Sequence, residues 1–203
     1  MTEIGSISKD DGRSRNSHRL SADEREADDL PELSPDFNNF GFRRALATFV
    51  TGITVVGIRI IADGAPRLVG LTVSSFNSVS LEPPLVLWSM KRTNPNIDGV
   101  ARATHFTVNV LTNAQERLCT HFAQPLADRF DGIAHKISPH GAPYLEQSAA
   151  VFECGLEQVI DGGDHLIFLG RVLRILHRGG VPLLYRDGRR VELTGAAIKS
   201  EAP

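Results

Sequence analysis

The sequence predicts a mainly β protein with a few helices, an antiparallel barrel that is closed or nearly so. Three observations predict it. Many short β-branched runs are separated by turn residues. Two long strand candidates, Val151 to Ile160 and His165 to His177, are joined at Asp161-Gly162-Gly163-Asp164. Apolar residues at helical spacing occur in only a few stretches.

The elements follow in chain order. Met1 to Leu33 mixes acidic, basic and serine residues with few large apolar ones. Such a segment cannot bury enough surface to offset its ordering entropy. It is expected to be a disordered arm, or one laid over a partner subunit, ahead of a domain from Ser34 to Pro203. Ser34-Pro35-Asp36 reads as a helix start, and Phe37, Phe40, Leu46, Phe49 and Val50 recur at helical spacing up to Gly52. Ile53 to Ile61 is a β-branched strand, joined through Ala62-Asp63-Gly64-Ala65-Pro66 to a partner from Arg67 to Val73.

Gly70 to Met90 is the stretch the chain is organised around. Gly70 to Val73 alternates in character and Leu85 to Trp88 is continuously apolar, so two strands flank a serine-rich middle closed by Pro83-Pro84. Thr72, Ser74, Ser75, Asn77, Ser78 and Ser80 put polar groups on short stems, suited to close approach by a flat polar ligand. Lys91 to Pro95 opens a short helix to about Ala103, a strand runs from His105 to Leu111, and Asn113 caps a helix presenting Leu118, Cys119 and Phe122. Ala134 to Pro143 reads as loop. Pro182 to Tyr185 is a last strand before the turn at Arg186-Asp187-Gly188.

The 203 residues, 41% apolar and 23% charged, support one core in a single domain. A net charge of -2 gives no basic stripe for nucleic acid, and no apolar run is long enough to span a bilayer. The hydrophilic stretch from Ser8 to Asp29 is unlike a secretory signal. Cys119 and Cys154 form no Cys-x-x-Cys pair and read as apolar filler with reduced thiols, so a cytoplasmic location is expected. His135 and His140 lack further ligands and no metal is expected; Ser74 and Ser75 lack a nucleophile elbow. No Gly-x-Gly-x-x-Gly follows a strand, so a dinucleotide is not held by the usual glycine-rich turn.

Several blocks carry a resemblance: Thr51 to Val56, Gly70 to Phe76, Ser78-Val79-Ser80-Leu81-Glu82-Pro83-Pro84-Leu85, Phe106 to Leu111, Asp128-Arg129-Phe130, Gly163-Asp164-His165 and Pro182 to Tyr185. In this order they resemble the flavin reductase family, NAD(P)H-dependent oxidoreductases with an FMN-binding split barrel. The resemblance implies reduction of FMN or FAD by NADH or NADPH, a homodimer, and release of reduced flavin to a separate flavin-dependent monooxygenase. A flavin-carrying electron-transfer protein, or a corrin or other reductase on the same barrel, is the alternative.

The resemblance also assigns candidate residues. Leu68, Val69, Gly70, Leu71, Thr72, Ser74 and Ser75 would line the flavin ring and ribityl chain, with Ser89 and Met90 beside them. Lys91 or Arg92 would neutralise the flavin phosphate near the Asn94-Pro95-Asn96 turn, where a helix start presents free donors. His121 and Phe122 would close a helix beside the flavin. His165 is the candidate catalytic residue, bonding the nicotinamide carboxamide or relaying a proton. Tyr185, Arg186, Asp187 and Gly188 would contact the nicotinamide dinucleotide.

Overall fold

A computed structural model describes residues 38–125 and 128–192. The arm from Met1 to Leu33 and the helix start at Ser34-Pro35-Asp36 lie outside the described residues. Helix α1, Asn39–Leu46, ends six residues before Gly52, and none of its residues is buried. The sequence reading ran it too far. Phe49 and Val50 fit a helical spacing, but they belong to the approach to strand β1, Thr51–Gly52.

Strands β2 (Thr54–Ala62) and β3 (Ala65–Val73) form a hairpin with Ala62 opposite Ala65. Its turn is shorter than the sequence reading made it. Asp63 and Gly64 both take positive φ, 52° and 77°, which matches the right-handed twist of the strands. Pro66 lies within β3 opposite Ile61, and β3 tolerates it because it is an edge strand.

The serine-rich middle holds an element the sequence reading missed. Asn77–Leu81 forms β4, which turns at Glu82-Pro83 into β5, Pro84–Lys91. Helix α2 is Ile97–Ala101 and β6 is His105–Val110. A 3-10 turn at Asn113–Gln115 leads into α3, Glu116–Ala123, with Thr112 rather than Asn113 at its cap: the Thr112 N–H donates to Gln115 Oε1 at 3.1 Å. Within the expected loop lies a short pair, β7 (Lys136–Ile137) with β8 (Pro143–Tyr144). The long strands are β9, Ala150–Gly162, and β10, His165–His177. After them β11 (Leu184–Arg186) and β12 (Arg189–Val191) complete a small sheet with β1.

The main sheet runs β3-β2-β6-β9-β10-β5-β4, every pairing antiparallel. It curls until β3 comes beside β5 without forming a ladder with it. This makes the molecule a split barrel. One side chain crosses the seam: Ser75 Oγ accepts the Ser89 N–H at 2.9 Å and donates to the Ser89 carbonyl at 3.2 Å.

Strand periodicity makes two cores. From β2, Val56, Ile58 and Ile60 point into the barrel with Trp88, Phe106, Val108 and Phe168, while Val55 points to a second cluster with Ile53, Leu111, Phe122, Phe130 and Leu183. Inside the barrel Trp88 stacks on Phe168 at 4.4 Å between centroids. Gly170 makes room for Phe106, since a Cβ there would stand 2.3 Å from the ring. Buried Asn109 ties loop to sheet: its Nδ2 donates to the Val55 carbonyl, and its Oδ1 accepts the Leu145 N–H, both at 2.8 Å. Cys119 and Cys154 are buried and unpaired, and burial pushes the Cys154 thiol up to about 12.

Phe168→Ala should lower stability by about 3–5 kcal/mol. In urea titration followed by Trp88 fluorescence the midpoint falls and the slope holds.

Candidate functional site

A cleft of about 530 Å³ opens where the seam of the barrel meets α3. The end of β3 and the residues after it supply Leu71, Thr72, Val73, Ser74 and Ser75; the end of β5 supplies Ser89, Met90 and Lys91. Because β3 pairs with β2 alone, the backbone groups on its other edge are not spent on a ladder. A polar ligand at the seam can use them.

Seating α3 depends on the residues of β3 that face it. A Cβ on Gly70 would stand 2.3 Å from two Phe122 ring carbons and 3.1 Å from Phe130. Glycine therefore lets the Phe122 ring lie on the strand, while Thr72 Oγ1 donates to the Cys119 carbonyl at 2.7 Å. With α3 in place, Phe122 and Ala123 form a wall of the cleft.

Arg129 also enters this cleft, although sequence reasoning did not select it. Its Nη1 donates to the Gly70 carbonyl at 2.7 Å, and its buried Nε has no partner. Burial lowers its pKa from the usual arginine value, and a guanidinium keeps its proton near neutrality. Asp128 Oδ1 turns the chain by accepting the Phe130 and Asp131 N–H groups at 2.9 and 3.2 Å. His121 Nε2 donates to the Arg129 carbonyl at 2.8 Å. His121 thus braces the Arg129 segment and is not among the lining residues. The triplet Asp128-Arg129-Phe130 after a helix was the available signal, but Gly70 is too distant in sequence for the contact to be read.

The two basic residues after β5 have separate tasks. Arg92 is bound to the β9–β10 hairpin: it forms an ion pair with Asp161, its Nε donates to the Gly163 carbonyl at 2.8 Å, and its N–H donates to the Asp164 carbonyl at 3.0 Å. Lys91 lines the cleft. The same hairpin delivers His165, whose backbone lies opposite Lys91. Asp164 Oδ1 accepts from His165 Nδ1 at 2.7 Å, which leaves Nε2 for the cleft. That bond from His165 holds the Asp164 carboxyl below its ordinary pKa.

The remaining candidates lie elsewhere. Leu68 packs against the second core and Val69 is inside the barrel. The free donors expected at the start of α2 are consumed: Asn94 Oδ1 accepts the Asn96 N–H and its carbonyl accepts the Ile97 N–H, both at 3.0 Å. Asn94 lines the cleft, whereas Pro95 and Asn96 do not, and the Asn96 amide accepts from Arg67. Tyr185 pairs with Thr51 in the small sheet, beside the Cys119 thiol. Arg186 ends β11, and Asp187-Gly188 is an exposed turn with φ of 53° and 68°. This group is outside the cleft lining.

Comparison with known proteins gives a consistent result. Residues 45–194 match the family model described as flavin reductase like domain. The chain is 40% identical over 151 residues to the FMN reductase (NADH) SmoA of Agrobacterium fabrum, covering 74% of this chain and 84% of that protein. It is 42% identical over 149 residues to HsaB of Rhodococcus jostii, the reductase subunit of a flavin-dependent monooxygenase, covering 73% and 74%. Some matched relatives are longer, and the chain spans 65% of one and 48% of another. The NADH:FAD oxidoreductase SgcE6 of Streptomyces globisporus, solved with NAD and FAD fragments, superposes with a TM-score of 0.73 at 32% identity, covering 84% of this chain and 100% of that one.

Gly70→Ala should lower stability by about 1–3 kcal/mol as the new methyl group displaces Phe122. Gly155→Ala is the control, because its Cβ would meet nothing closer than 3.6 Å. Thermal melts of the two variants should separate clearly.

Proposed function

Because the chain belongs to the flavin reductase family, we propose that it reduces FMN or FAD with NADH or NADPH and supplies reduced flavin to a separate flavin-dependent monooxygenase. The observation that carries this reading is the cleft at the barrel seam, with the partly buried Arg129 guanidinium on one side and Lys91 on the other. Its volume, about 530 Å³, suits a ligand with a flat multi-ring head. The unpartnered Arg129 Nε and the free edge of β3 are what a ring with several acceptors would engage.

When bound, a flavin supplies the hydride-accepting N5 and takes up negative charge at its N1 and O2 edge. The protein's part is binding, orientation and charge. Seam-side groups of Leu71 to Ser75 would fix the ring, and Arg129 would stabilise charge developing on it. Lys91 would hold the phosphate as a flexible cation, because Arg92 is already committed to the hairpin. His165, oriented by Asp164, would present Nε2 to the nicotinamide carboxamide. Hydride transfer needs no strong base, so this histidine acts chiefly in binding. Tyr185 to Gly188 would reach the dinucleotide only beyond the cleft proper.

We also infer that two copies pair. Phe40, Leu46 and Phe49 are 69%, 57% and 73% exposed, an apolar area suited to a second subunit. Reduced, buried thiols are compatible with a cytoplasmic setting, and among the described residues no helix is long and apolar enough to cross a membrane.

Purified protein with FMN or FAD should consume NADH or NADPH, read as loss of near-ultraviolet nicotinamide absorbance. No consumption with either flavin and either nucleotide overturns the reading in favour of an electron carrier. Lys91→Ala should raise the flavin KM about tenfold, the loss of one charge-assisted contact. His165→Ala should raise the KM for the nucleotide more than it lowers kcat.

A further inference from the structure

A second cleft, of about 400 Å³, carries charge that the flavin reading does not use. Asn94, ahead of α2, lines the first cleft, whereas Gly99 and Arg102, at the other end of α2, line the second. Arg59 from β2, Thr104, His105 at the start of β6 and His140 from the β7–β8 connection complete its polar lining.

The basic groups are held in place. Arg59 rests on Gly141, where φ is +88° and a Cβ would stand 2.4 Å from the guanidinium Nη2 and 2.6 Å from Cζ. Glycine at 141 gives the guanidinium its seat. Among the described residues no carboxylate forms an ion pair with Arg59 or Arg102. The rings of His105 and His140 stack at 4.4 Å, 12° from parallel. Each has its Nδ1 engaged at 3.0 Å, His105 with Thr104 Oγ1 and His140 with Glu153 Oε1. Nε2 of each ring is the nitrogen left for a ligand.

We propose that this cleft is a binding site for a phosphoryl group carried on a small organic molecule. Two guanidinium groups from separate elements, Arg59 seated on Gly141 and Arg102 at the end of α2, offer more donors than one carboxylate can accept, and their charge matches a dianion. A metal cation would be repelled by the same pair. The cleft is far larger than phosphate alone requires. Exposed Ile61 and the flat imidazole stack provide surface for an organic body.

Glu153 is the acid that faces this group; its Oε1 is bonded to His140, while its buried Oε2 has no hydrogen-bond partner. Its carboxylate is nearly buried, accepts the His140 N–H and ring, and has Arg174 Nε at 3.6 Å. Burial alone would raise its pKa, but bonds from Ser138 and His140 outweigh burial and hold it below the ordinary value. His105 is held below its ordinary pKa by burial and then by His140, against the pull of Glu153. An anion between the two arginines favours charged imidazole. Binding therefore favours a proton on His105 and tightens as pH falls from 8 towards about 7, while a phosphate monoester, with a second pKa near 6, is still largely a dianion.

The test uses the full chain titrated with inorganic phosphate, AMP and adenosine, read by calorimetry and by histidine ring resonances. Phosphate and AMP should shift the His105 and His140 signals more than that of His165. AMP should bind more tightly than phosphate, and more tightly at pH 7 than at pH 8; adenosine should not bind. The Arg59→Ala/Arg102→Ala double variant, altered only at exposed side chains, should weaken AMP about tenfold or more while keeping its melting temperature and flavin reduction. Lys91→Ala should leave AMP affinity unchanged. The proposal is overturned if adenosine binds as well as AMP, if AMP follows Lys91 instead of the arginine pair, or if neither phosphate nor AMP saturates the histidine shifts.

Discussion

The Phe122 ring packed against Gly70 is the contact from which the working part of this molecule is built. A β-strand normally keeps a helix a side chain away; here the absent side chain lets α3 settle onto β3. Three consequences follow. The second core closes around Phe122 and Phe130. The segment after α3 is drawn in until Arg129 reaches the Gly70 carbonyl. Finally, the end of α3 stands over the barrel seam and turns a gap in the sheet into a walled cleft.

The gap itself comes from incomplete closure. A closed barrel removes every free strand edge, but this sheet brings β3 beside β5 and stops short of pairing them. Ser75 joins the two sides through Ser89 with one hydroxyl used as both donor and acceptor. Along β3 the Gly70 carbonyl is held by Arg129, and the edge away from β2 forms no ladder, which leaves backbone groups there for a ligand. Ligand recognition at this seam thus uses a feature that would otherwise be an aggregation liability.

Charge is divided with equal economy of position. Arg92 and Asp161 bind the β5 end to the β9–β10 hairpin, which fixes where His165 stands. Lys91, one residue earlier on the alternating strand, faces the cleft. Arg129 brings a delocalised cation into a partly buried position, where a weakly hydrated guanidinium is better suited than an ammonium. Arg59 and Arg102 gather at the other end of α2, next to a histidine pair backed by Glu153.

The sequence by itself determined the family, the longer strands and several turns, because these depend on local patterns. A β-branched run marks β2 and alternation from Gly70 marks the end of β3, Asp63-Gly64 and Asp187-Gly188 supply the positive φ their hairpins need, and the long β9–β10 pair is bounded by glycine. Local pattern failed where packing decides. Asn77–Leu81 became a strand without an apolar run, because as a sheet edge it has little to bury. Phe49 and Val50 fit a helical spacing that the chain abandons after Leu46. Of the candidate site, Thr72, Ser74 and Ser75 of the hydroxyl cluster, Lys91, Phe122 and His165 were legible and do line one cleft, whereas Asn77, Ser78 and Ser80 lie in β4 outside its lining. Only the tertiary structure set Arg129 beside Gly70, turned His121 into a brace, committed Arg92 to a hairpin and put Tyr185 in another sheet. Those outcomes depend on sheet order and on how a helix seats across it, and no run of neighbouring residues encodes either.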